Sequence, residues 1–232
     1  PDIKSGIKPD ITSGIKTGLK ARILNLKERM IAMKQALTIE ALEREKCTGC
    51  GACDNICPVD AIVMEREPSG FSYPHIQPEV CIHCGKCHKA CPALHPLRPH
   101  PVPACYAAMG EDSLRAQSSS GGLFTLLAES ILSQGGFVCG AVWEPGWKVR
   151  HIVTNRPEDL VDIRLSKYLQ SEMGNTFSQV KTLLEQGRPV LFTGCPCQVA
   201  GLYGFLGKSY DRLLTMDIVC HGVPSPGLFP VY

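Results

Sequence analysis

The 232-residue chain is short of aromatics, which make up 6% of it, and short of net charge, with 24 Lys and Arg against 22 Asp and Glu. A balance of only +2 leaves no electrostatic footprint for nucleic acid. No apolar run approaches the roughly 18 residues that a membrane span needs. The opening PDIKSGIKPDITSGIK carries no apolar core of a secretory signal. Thirteen cysteines therefore do not read as a secreted disulfide scaffold, which would also be shorter. They read as thiols of a reducing compartment, the cytoplasm. A content of 44% hydrophobic and 20% charged residues is ordinary for globular protein and supplies one or two cores.

What the chain does have is one cysteine spacing written twice. Cys47, Cys50, Cys53 and Cys57 form the first C-x2-C-x2-C-x3-C-P run, and Cys81, Cys84, Cys87 and Cys91 the second, closed by Pro58 and Pro92. This is the ligand pattern of a bacterial ferredoxin with two [4Fe-4S] clusters, in which the fourth cysteine of each run serves the other cluster. The expected sets are Cys47, Cys50, Cys53 and Cys91 for cluster 1, and Cys57, Cys81, Cys84 and Cys87 for cluster 2. Gly51 and Gly85 stand inside the loops, where tight turning makes a Cβ costly. Paired C-x2-C motifs also bind zinc. Zinc sites, however, usually show two separated pairs rather than a repeated 2-2-3 spacing with a terminal proline. His83 and His88 read as bystanders, the thiolate count being complete.

The remaining pattern gives the organisation. Residues 1–18 hold the repeat DIKSGIK, DITSGIK and read as an irregular leader. Over 19–46, Leu19, Ile23, Leu26, Met30, Met33 and Leu37 recur at helical spacing among basic residues, predicting an amphipathic helix that packs on its own domain or lies on a membrane or a partner. Met30 or Met33 could be the true start of translation. Residues 38–93 hold the two cluster modules. A linker over 94–104 carries Pro96, Pro99, Pro101 and Pro103 and sustains neither helix nor central strand. Residues 105–232 alternate helices and strands. The pattern predicts a helix over 121–133, strands at 137–143, 150–154, 190–193 and 213–219, and helices near 177–184 and 199–206. That alternation implies α/β layers with a largely parallel sheet. The expected fold is thus an α+β ferredoxin-like dicluster domain followed by an α/β domain. The start at Pro1 and the end at Tyr232 in a Pro-rich stretch read as those of a piece of a longer protein, with the α/β domain truncated at its C-terminus.

Two cysteine-bearing loops follow strands of that domain: TGCPCQ, with Cys195 and Cys197, and VCHG, with Cys220. Ligands of open α/β sheets sit beyond the carboxyl ends of strands. These three thiols could ligate a further cluster, line a redox pocket, or be buried and inert. For Cys105 and Cys139 the inert reading is preferred. Ser118, Ser119, Ser120, Gly121 and Gly122 open an apolar helix, where free amides suit a phosphate, although many helices begin with serine and bind nothing. Lys167 and Tyr168 offer a cation and an aromatic ring near a turn.

Together, SSGGLFTLLAESIL, RLSKYLQSEMG, VLFTGCPCQVAGL and DIVCHGVPSP resemble, in order, the beta subunits of coenzyme F-420 hydrogenases and dehydrogenases, from about residue 104 onward. The resemblance implies an iron–sulfur flavoprotein oxidoreductase with FAD, exchanging electrons between clusters and a small-molecule hydride acceptor. A redox partner such as ferredoxin or a hydrogenase or dehydrogenase subunit is implied with it. It places Ser119, Ser120, Gly121 and Gly122 at the flavin phosphates, and Lys167, Tyr168 and Cys197 at or near the flavin. The commoner form of the cysteine motif is GTPCQ, so Cys195 departs from it. The competing reading is a ferredoxin-like electron carrier or adaptor whose α/β part only docks a partner.

Overall fold

The computed structural model describes residues 37–97 and 104–228, together with Arg29, Met30 and Met33. The leader over 1–18, most of the helix expected over 19–46 and the centre of the linker lie outside the described residues. Within 37–46 the expected continuous helix is replaced by two 3-10 turns, Ile39–Ala41 and Arg44–Lys46. The side chain of Thr38 accepts from the amide of Glu40 and starts the first of them.

The cysteine-rich unit is built twice over. Helix α1 (Ala52–Asn55) follows Gly51 at φ +76°, and α2 (Lys86–Ala90) follows Gly85 at φ +74°. Both glycines take the left-handed conformation that turns each cysteine loop into its helix. Between them lies an antiparallel hairpin, β1 (Ile62–Arg66) and β2 (Ser72–Ile76), which the cysteine pattern did not announce. Ile39, Cys53, Ile62, Cys87 and Cys91 form the core of this unit. Leu42, Ile56, Cys57, Ile76 and Leu94 pack against it, so cysteine sulfur shares this interior with a few aliphatic side chains.

The second unit contains α3 (Leu123–Ser133), β3 (Phe137–Glu144), β4 (Lys148–Thr154), α4 (Leu160–Ile163), β5 (Ser171–Glu172), α5 (Thr176–Glu185), β6 (Val190–Gly194), α6 (Pro196–Leu206) and β7 (Leu213–Asp217). Strand order is β5-β4-β3-β6-β7. The sheet is mixed: β3 and β4 pair as an antiparallel hairpin, while β4–β5, β3–β6 and β6–β7 are parallel. The tight EPGW turn (Gly146 at φ +78°) permits the hairpin; parallel pairs need a crossover instead. Strand alternation divides the core between two faces. Val190, Phe192 and Cys139 pack against α5 and α6, whereas Leu191, Val138 and Val142 pack against α3 and α4.

The two units are docked along α6. Gly201 leaves room for the Cys50 side chain, since a Cβ there would stand 3.0 Å from its sulfur. Gly204 leaves room for the carbonyl of Ala90 in the same way. The Gln170 carboxamide bonds both backbone groups of Ser72, at 2.7 and 3.1 Å, and Asn55 donates to the carbonyl of Gly174 at 2.7 Å. No helix among the described residues is long and apolar enough to cross a membrane.

Candidate redox site

The eight repeated cysteines surround two separate voids. One is lined by Cys47, Cys50, Cys53 and Cys91, the other by Cys57, Cys81, Cys84 and Cys87. Each void takes three thiols from one run and the last thiol of the other. Burial, and the charge of neighbouring thiols behind it, raises the pKa of Cys47, Cys53 and Cys87 and pushes Cys50 up to about 11. Uncompensated thiolates are therefore disfavoured here, and iron would supply the compensating charge while releasing protons.

The donor set fits [4Fe-4S] clusters: four soft sulfurs per void, with the amide of Ala61 donating to Cys57 Sγ at 3.2 Å. The buried Nδ1 of His83 has no protein partner among the described residues, and His83 lines the second void. His88 instead pairs with His95 at 3.1 Å. Nowhere among the described residues do three or more His, Cys, Asp or Glu side chains converge on a position for a single metal ion.

A larger cavity of about 750 Å³ opens between the two units. It is lined by the Cys47, Thr48 and Gly49 loop beside the first void, with Phe71 and Tyr73, and by Ser118 to Gly122 and the start of α3. Gly122, at φ +78°, precedes α3, and no side chain caps the helix. The first amides of an 11-residue helix thus face the cavity without an internal acceptor. Ser119 Oγ accepts from the amide of Ser166 at 2.9 Å, and Arg164 donates to Thr125 and Gln117 at 3.0 and 2.8 Å. These bonds tie the serine turn to the loop carrying Lys167.

Lys167 lines the cavity, but its ammonium donates to the carbonyls of Asp162, Ile163 and Arg164 at the end of α4. Burial lowers its pKa to about 8, against the opposing charge of Asp162. Tyr168 does not join the wall. Its neighbour Leu169 is buried, whereas Tyr168 is 67% exposed.

Cys195, Cys197 and Cys220 all line the cavity. Cys195 caps α6 and Cys197 lies in its first turn; Cys220 follows β7, which ends at Asp217 rather than at Val219 as expected. Burial raises the Cys195 pKa to about 12, helped by a hydrogen bond with the Cys220 thiol. Burial and then the charge of Cys220 raise Cys197, opposed by the Thr48 hydroxyl. The charge of Cys197 also reaches Cys50 of the first void. Of the two cysteines expected to be buried and inert, Cys139 is fully buried, but Cys105 is exposed: the chain before α3 runs over the surface.

A buried polar chain crosses the cavity floor, and little in the sequence announced it. The His151 imidazole bonds the Thr193 carbonyl through Nε2 at 3.2 Å and the Ser171 hydroxyl through Nδ1 at 3.0 Å. A carbonyl only accepts, so Nε2 carries the proton and Ser171 donates to Nδ1. Gln198 donates to Ser171 at 2.7 Å, and its carbonyl accepts the Cys195 amide at 2.8 Å. His151 is stacked on Phe192 and burial lowers its pKa to about 4, so the ring is neutral. A histidine at an inward strand position, and a glutamine three residues after Cys195, were the only signals.

Residues 46–94 match the family model of the 4Fe-4S dicluster domain. Residues 104–177 match that of the coenzyme F420 hydrogenase/dehydrogenase beta subunit, N-terminal part. The resemblance to that beta-subunit family therefore holds. The chain thus joins a dicluster region to a region similar to that beta-subunit family, and the dicluster match supports two [4Fe-4S] clusters. Among solved structures it is similar to a chain of the F420-reducing [NiFe] hydrogenase complex from Methanosarcina barkeri, at 20% identity and a TM-score of 0.39, over 49% of this chain and 42% of that one. The match thus spans less than half the length of that chain. A search of curated proteins finds no match.

Proposed function

We propose that this chain is an iron–sulfur flavoprotein oxidoreductase module, with FAD in the cavity between the two units. Electrons would pass between two [4Fe-4S] clusters and a small-molecule hydride acceptor, of the coenzyme F420 type or another. The redox partner would be a ferredoxin or a hydrogenase or dehydrogenase subunit, and the setting the cytoplasm. The supporting observation is the wall of the 750 Å³ cavity, which joins the Cys47–Gly49 loop to the uncapped serine–glycine helix start. Such a volume lies in the range of cofactor sites, which is roughly 300–1,000 Å³.

Bound there, a flavin supplies exchange between two-electron hydride chemistry and the single electrons that clusters carry. The chain's own residues have separate tasks. The amides at 120–123 would hold phosphate at the positive end of α3. Lys167, held by three carbonyls, would keep the 164–167 loop closed over that site. The neutral His151, Ser171 and Gln198 fix the Cys195 loop without placing a charge on the cavity floor. Cys47 and Thr48 would bring the first cluster against the cofactor. Crossed ligation makes Cys57 and Cys91 the residues that tie the two cluster halves together.

Anaerobically purified full-length protein tests the reading. It is expected to hold about eight irons per chain and releasable FAD, and Gly122→Val, which forces a branched residue into positive φ, is expected to lose the flavin but keep the iron. Iron without flavin in the native protein would instead support the carrier reading, in which the α/β unit only docks a partner.

A further inference from the structure

We propose, resting on the flavin reading above, that Phe71 and Tyr73 form an aromatic subsite that takes the isoalloxazine ring of the cofactor, not its adenine. Both side chains line the cavity of about 750 Å³. Phe71 stands just before β2 and Tyr73 within it, and residues two apart along a strand share a face. Pro74, the next residue, lines the first cluster void instead, together with Cys47, Thr48 and Gly49, which line the cavity as well. Strand β2 and the Cys47 loop are therefore the partition between void and cavity. A ring on Phe71 and Tyr73 has only that partition between it and the thiols of the first void. Such closeness serves the ring that exchanges electrons with a cluster, and it does nothing for adenine.

The aromatic pair is held in place from behind. Gln170 bonds both backbone groups of Ser72, the residue between the two rings, at 2.7 and 3.1 Å. A Cβ on Gly49, which has φ +65°, would stand 3.0 Å from the Ser72 carbonyl, so the cysteine loop closes on the same clamp. At the hairpin turn Ser225 donates to the Ser69 carbonyl, and Gly70 lies against Gly227 with no room for a Cβ. The guanidinium of Arg44 stands 4.1 Å from the centre of the Tyr73 ring and is itself paired with Glu67. One face of Tyr73 is thus covered by a cation whose charge is already answered. This part of the cavity therefore suits a flat, uncharged ring, bound by offset stacking. The phosphates are left to the free amides at the start of α3.

Full-length protein that keeps its iron but is stripped of flavin is titrated by calorimetry, anaerobically, with two probes. Riboflavin has the ring without phosphate, and ADP has adenine and phosphates without the ring. Phe71→Leu and Tyr73→Leu are each expected to weaken riboflavin about tenfold and to leave ADP binding and iron content unchanged. Tyr73→Phe, which keeps a ring, is expected to keep riboflavin affinity. Gly122→Val is expected to do the converse and weaken ADP alone. Riboflavin binding unmoved by both leucine variants overturns the proposal. Weakening of ADP in place of riboflavin overturns it too, because adenine would then lie on the aromatic pair. Unchanged iron shows that a variant is folded, and where Tyr73→Leu loses iron, Phe71→Leu decides. A wild-type protein that binds neither probe overturns the flavin reading itself, a result distinct from a wild type that binds both and variants that do not differ.

Discussion

Gly204 of α6 lies directly against the carbonyl oxygen of Ala90, with no room for a Cβ between them. Ala90 ends the second cluster helix, and Gly201, one turn earlier, faces Cys50. The two glycines set how closely the cluster unit approaches the α/β unit. Gly204→Ala is expected to cost about 1–3 kcal/mol in overpacking and to push α2 away from α6. Its signature is slower electron transfer between the first cluster and the flavin proposed for the cavity, at unchanged iron content, read by stopped-flow absorbance. Unchanged transfer rates would remove this contact from the route.

Cys57 lies in the first run but lines the void of the second. Cys57→Ala is expected to lose the cluster held by Cys81, Cys84 and Cys87, leaving about four irons per chain. Electron paramagnetic resonance of the reduced variant, compared with Cys91→Ala, distinguishes the two clusters. Loss of only the cluster of Cys47, Cys50 and Cys53 would overturn the crossed assignment.

The Nδ1 of His83 is buried beside the same void without a protein partner among the described residues. Its natural acceptor is a sulfur of the cluster, and hydrogen bonds to cluster sulfurs raise the reduction potential. One bond of about 1 kcal/mol corresponds to roughly 40 mV for one electron. His83→Ala is therefore expected to lower the midpoint of the second cluster by that order and leave the first unmoved. A redox titration followed by electron paramagnetic resonance reads both.

How much of this was legible in the sequence follows from the range of each interaction. Ligation by Cys47 to Cys57 and Cys81 to Cys91 is local, so spacing alone gave both runs, and the crossing came with the repeat. Periodicity likewise announced α3, α5, α6 and the strands β3, β4, β6 and β7, but not β5 or the β1–β2 hairpin. The β3–β4 hairpin was hidden: with its strands called only as far as Trp143 and from Arg150, the gap did not look like a tight turn. The cavity was hidden for a different reason. It exists because Gln170 holds Ser72 and α6 carries glycines toward Cys50 and Ala90, contacts across some hundred residues that no window of sequence joins. Lys167 was seen as a residue but not as a helix-end cap, since its acceptors are backbone carbonyls. Tyr168 was placed by the family resemblance of its motif, whereas its ring stands exposed on the surface.

His151 gives the protein a built-in sensitivity to acid. Its folded pKa, about 4, lies below its ordinary value of 6.5 because burial penalises the charged ring. Between those values the unfolded chain binds a proton that the folded chain refuses, so stability rises with pH. The contribution is complete above about pH 6.5 and is lost as pH falls toward 4, amounting to about 3 kcal/mol at most. Protonation would also give Nδ1 a hydrogen where Ser171 now donates, breaking the chain to Gln198 and loosening the Cys195 loop. His151→Gln is expected to lower stability at pH 7.5 but to flatten the fall between pH 7 and 5. Melting temperatures of both proteins, measured under argon across that range, give the two slopes. The acid lability of the clusters is common to both, so equal slopes would show that the His151 proton is not what couples pH to the fold.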